Sequence, residues 1–135
     1  MCIQGAARVA AALRGIPSGV LQTLVVWVPM LPPDTEGAAQ TAAQALPGAV
    51  HFWDGDRRLA SELGRMLGIT SAQSLGAPGG HGLAWDVYLA YGRGKALAGP
   101  PDFWMHQLAV DHAPRFNADE WRARIQAMID HGRRG

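Results

Sequence analysis

The chain is short of cysteine, of charge and of long apolar runs. One cysteine, Cys2, stands in 135 residues. That excludes an internal disulfide framework and a cysteine-based zinc site, and it suits a reducing, cytoplasmic setting. Charged residues make up 17%, below the roughly 25% of ordinary soluble domains. The 12 basic and 11 acidic residues leave a formal net charge of +1, without the basic stripe of a nucleic-acid binder. The strongly apolar run from Leu24 to Leu31 is too short to span a bilayer, and the stretch after Met1 is interrupted by Arg8, unlike a secretory leader. What is present is 48% hydrophobic residues with 17 glycines and 9 prolines. That composition fits one domain, residues 1–135, with a single core. Low charge also suggests apolar surface covered by a partner.

Periodicity places a helix over 2–14, with residues 3, 6, 7, 10 and 13 on one face and a stop at Gly15 and Pro17. The apolar, β-branched run Leu21–Met30 suits a strand buried on both faces. Pro32 and Pro33 break it, and Asp34 or Thr35 caps a helix reaching Leu46. A strand over 49–54 follows. Then comes a helix over 57–67, capped by Asp54 or Asp56 and stopped at Gly68. Residues 70–82 read as a Gly-, Ser- and Ala-rich loop. Strands over 83–91 and 103–108 flank the turn Gly92-Arg-Gly94. Asn117 caps a last helix over 118–130, with Trp121, Ile125, Met128 and Ile129 facing inward. The expected order is α-β-α-β-α-β-β-α, parallel pairing first and antiparallel last.

The polar side chains offer few constellations. His51 and Asp54 bracket Phe52-Trp53 on one strand, and alternation sends His51 and Trp53 one way and Phe52 and Asp54 the other. His106, Asp111 and His112 form a second group. A catalytic metal needs three or more convergent ligands, and no spacing here matches a known metal motif. A divalent ion, if one is held, would draw on His51, Asp54, His106, Asp111 and His112. No other cofactor is called for: Gly76-Ala-Pro-Gly-Gly-His-Gly82 lacks the strand-to-helix setting and the Lys-Ser/Thr end of a phosphate loop. Asp54, His106 and Asp86 are the candidate acid/base groups. Asp86 follows Trp85, whose ring would shield a carboxyl and raise its pKa. Trp53 and Trp85 are the candidate aromatic walls of a small-molecule pocket.

Cys2 at the head of the first helix, Val25-Val-Trp-Val-Pro29, His51-Phe-Trp-Asp54, Leu67-Gly-Ile69 and Val87-Tyr-Leu-Ala-Tyr-Gly92 together resemble the thioredoxin-like superfamily, in its peroxiredoxin and thiol–disulfide reductase branch. The resemblance covers residues 2–131. It implies a three-layer α/β/α sandwich on a mixed sheet, with the first strand missing. It also implies a redox cysteine at a helix start, and a pocket of Cys2, Pro29, Ala84, Trp85 and Asp86. The pattern departs from that branch in three ways. A Cys-x-x-Cys pair is replaced by Cys2 alone, the first strand and first cysteine would fall before Met1, and Ala84 stands where a proline borders the active site. A lone thiol cannot complete an intramolecular dithiol cycle. The expectation is a degenerate redox domain, truncated at its N-terminus, whose uncovered strand edge is covered by a second copy. The alternatives are a small-molecule hydrolase with a His/Asp pocket at a dimer seam, metal-assisted or not, and an interaction module that pairs through an exposed sheet edge.

Overall fold

In the computed structural model, which describes residues 3–17, 19–70, 82–108 and 113–133, the chain runs α1 (Ile3–Leu13), β1 (Leu24–Trp27), α2 (Glu36–Ala43), β2 (Val50–Trp53), α3 (Arg58–Met66), β3 (Val87–Ala90), β4 (Phe103–His106) and α4 (Ala118–Gly132). The order matches the one read from periodicity. The pairing differs in one respect: the strands form two separate two-stranded sheets, β1–β2 parallel and β3–β4 antiparallel, instead of one mixed sheet. Among the described residues no helix is long and apolar enough to cross a membrane.

Local chemistry explains where the elements stop. β1 is shorter than its apolar run. Its ladder to β2 ends where Asp54 N–H donates to the Trp27 carbonyl at 2.9 Å, and Pro29 follows with no N–H to give. Beyond it, the Asp34 carboxylate accepts from the Met30 and Leu31 amides at 2.9 and 3.0 Å. Thr35 therefore holds the N-cap of α2, accepting from Ala38 N–H at 3.2 Å. Asn117 caps α4 by accepting from Glu120 N–H at 3.0 Å. Gly68 ends α3 at φ 68°, a conformation costly to any residue with a Cβ.

α2 is the crossover that a parallel β1–β2 pair requires. Its Ala39 and Ala42 pack with Val25, Trp27 and Trp53 on one face of that sheet, where Ala6 of α1 joins them. The β3–β4 sheet is covered on both faces. Tyr88, Met105, Ala90 and Phe103 meet α1 and α4 through Ala12, Trp121 and Ile125. Val87, Leu89 and Trp104 meet Leu63 and Met66 of α3, with Leu67 and Ile69 beyond it. Arg122 of α4 donates to the carbonyls of Ala12 and Arg14 at 2.8 and 2.7 Å, which closes the C-terminal end of α1.

α3 lies close to the strand that enters β3. Gly64 is buried, and a Cβ there would run into the Gly82 carbonyl oxygen. Ala84 N–H donates to the Ala60 carbonyl at 2.9 Å across the same contact. The opposite face of β1–β2 is bare. Leu24, Val50 and Phe52 are exposed there, Phe52 by 50%, and Leu24 lies beside Val50 in the register.

Candidate functional site

An apolar cavity of about 360 Å³ lies between the two sheets, walled by the stretches 21–28 and 84–91. α1 and α4 close one side through Val9 and Ile125, and α3 closes the other through Ala60 and Leu63. That volume lies at the lower end of the usual range for ligand sites. Asp86 is the charged residue of the lining. Its backbone is left-handed, with φ 53°, a region where Asp is among the tolerated residues. Its carbonyl accepts from Gln107 N–H at 2.8 Å.

Trp85 of the lining stands against a buried histidine. His106 is 1% exposed, and its ring stands edge-on to Trp85, with centroids 6.3 Å apart at 87°. Its Nδ1 accepts from Leu108 N–H at 3.1 Å. That acceptor role puts the proton on Nε2, beside the Trp85 backbone; Trp85 Nε1 has no hydrogen-bond partner among the described residues. Burial pushes the imidazole pKa below its ordinary value, against opposing pulls from the Asp86 carboxylate and from a hydrogen bond with the Trp85 backbone. Burial thus favours the neutral ring.

The candidate residues divide by place. Ala84, Trp85 and Asp86 line the cavity together, as does Met30, the neighbour of Pro29. His106 stands behind Trp85. His51 and Asp54 are engaged elsewhere. The His51 ring accepts at Nδ1 from Trp27 Nε1 at 3.1 Å, and its Nε2 donates to the Leu46 carbonyl at 3.0 Å. The Asp54 carboxylate accepts from Leu59 and Ala60 N–H at 3.3 and 2.8 Å, tying down the first turn of α3. Trp53 packs with Trp27 and α2. Cys2, Asp111 and His112 lie outside the described residues. Among the described residues no group of three His, Cys, Asp or Glu side chains is placed to hold a metal ion.

Sequence reasoning placed Trp85 and Asp86 beside a pocket but missed its main walls, the edges of β1 and β3. The signal was present in the two runs 21–30 and 83–91, each apolar at nearly every position. Comparison of the chain with protein-family profiles, curated proteins and solved structures finds no match.

Proposed function

We infer that the chain is a thioredoxin-like domain that does not run an ordinary dithiol cycle. The observation that carries this reading is the arrangement of the two sheets. A parallel β1–β2 pair, covered by α2 on one face, and an antiparallel β3–β4 hairpin, with helices on both faces, border one apolar cavity. A thioredoxin-like mixed sheet has this order of pairing, with one more strand in the middle. Cys2 supplies one thiol, and intramolecular exchange needs two. The role left to the domain is binding in the cavity beside Trp85 and Asp86, with Cys2 as a vestigial thiol. Reduction of insulin disulfides with dithiothreitol as electron donor tests this. The expected rate is the uncatalysed one, with Cys2→Ser leaving far-UV circular dichroism and mass unchanged. Catalysis that disappears in Cys2→Ser would overturn the reading.

A second reading concerns association, and a separate observation favours it. The bare face of Leu24, Val50 and Phe52 is apolar surface that a second copy would cover. A homodimer through this face predicts twice the chain mass by light scattering at micromolar concentration, and a monomer for Phe52→Lys. A monomeric wild-type mass would remove it.

A further inference from the structure

Among the described residues each of the two sheets ends on an open strand edge, and both edges border the same cavity. Among the described residues β1 pairs with β2 and with no other strand; β3 likewise pairs with β4 alone. In the parallel pair, the Thr23 carbonyl accepts from Val50 N–H and the Trp27 carbonyl from Asp54 N–H. By alternation, the peptide groups of Leu24, Val26 and Val28 face away from β2. In the hairpin, the Asp86 carbonyl accepts from Gln107 N–H and the Ala90 carbonyl from Asp102 N–H. The peptide groups of Val87, Leu89 and Tyr91 therefore face away from β4. All six residues line the cavity.

We propose that this slot receives an extended apolar segment of another polypeptide, which pairs with β1 along one side and β3 along the other and joins the two sheets into one. The complementarity is one of backbone dipoles. A row of N–H and C=O groups on each wall calls for an occupant that offers the same row on both of its sides, and an extended chain does so. A hydrocarbon ligand would fill the volume and leave both rows buried and unpaired, which is unfavourable. Side chains of the inserted segment would alternate between α1 with α4 on one side and α3 on the other. Val9 and Ile125 wait on the first side, Ala60 and Leu63 on the second, so the segment is apolar at every position. The four-residue strands on either side set its length at about 13 Å of extended chain. A second copy is a poor donor. Each of its four described strands is already paired and packed within its own sheet, and would have to leave it. This inference rests on the open edges and not on the thioredoxin-like reading, so the insulin assay does not bear on it.

The test titrates the full chain with a Lys-flanked peptide of five alternating Val and Ile residues, and with the same peptide N-methylated at alternate positions. Trp27 and Trp85 line the cavity, so their fluorescence reports occupancy. The expected result is saturable one-to-one binding, slowed exchange of the Val26 and Leu89 amides, and at least tenfold weaker binding of the N-methylated peptide. Val26→Pro removes an N–H that faces the slot and none that β2 uses, and should weaken binding to a similar degree. If that variant does not fold, the two peptides decide the matter. Equal affinity for both peptides would make the cavity a pocket for apolar small molecules and overturn the proposal. So would absence of binding, or a peptide-free dimer whose Val26 and Leu89 amides are already protected.

Discussion

Trp27 and His51 meet edge to edge across the β1–β2 pair through a side-chain hydrogen bond. Their rings lie 6.0 Å apart at 13°, and the Trp27 indole N–H donates to His51 Nδ1 at 3.1 Å. Trp27 is buried, so its N–H depends on that acceptor. His51→Phe keeps a ring in place and strands the donor, at a cost of about 1–3 kcal/mol. Pairing it with Trp27→Phe removes donor and acceptor together. The double variant should then lose less than the sum of the two single losses in urea unfolding. A simple sum would mean that the bond contributes nothing.

His106 predicts a pH dependence of stability. Burial lowers its pKa in the folded state, so the unfolded chain takes up the proton more readily and acid favours unfolding. The contribution of the neutral ring is complete above the ordinary histidine value of about 6.5 and is lost as pH falls through the lower, folded-state pKa. Urea midpoints between pH 7.5 and 5 should decline, and His106→Leu should flatten that decline whatever it does to stability at neutral pH. An unchanged slope in the variant would assign the titration elsewhere.

Gly64 holds α3 against the segment entering β3. Gly64→Ala drives a methyl group into the Gly82 carbonyl and should cost about 1–3 kcal/mol, as overpacking does. Gly37, in α2, has open space where a methyl group would stand, with no atom within 4 Å. Gly37→Ala should therefore be neutral or stabilising by roughly 0.5–1 kcal/mol. Thermal unfolding of the two variants side by side separates close approach from helix propensity.

Arg122 closes α1 from α4. Arg122→Ala should cost about 1 kcal/mol, since the guanidinium is only half-buried and water replaces part of what is lost. Amide exchange should quicken in the last turn of α1 and not in α2. Uniform quickening would show that the contact has no local role.

Much of the element order could be read from punctuation. Thr35, Asn117 and Gly68 sit where caps and stops belong, and their geometry is local chemistry that a sequence displays directly. The split of the sheet could not be read that way. Leu21–Met30 is apolar throughout, but β1 spans only Leu24–Trp27, because pairing is decided by β2, which lies beyond α2 in the chain. Likewise the run 83–91 loses its first half to other partners: Ala84 bonds to Ala60 of α3, and Asp86 turns through φ 53°. For the site, alternation correctly sends His51 and Phe52 to opposite faces. It cannot say that the His51 ring is committed to Trp27 and Leu46, since those partners lie outside its own strand. Neither Asp54 nor Asp56 holds the N-cap of α3, which is Arg57 in the left-handed region without a side-chain cap bond; Asp54 instead accepts from the Leu59 and Ala60 amides of the first turn.

α1 touches both halves of the molecule. Ala6 packs into the cluster around Trp27, while Val9, Ala12 and Leu13 pack into the cluster around Met105. With no strand ladder joining the sheets among the described residues, this helix is a main carrier of cooperativity between the two halves. Loosen it, and unfolding should separate into two steps, the α2-covered half melting apart from the α4-covered half.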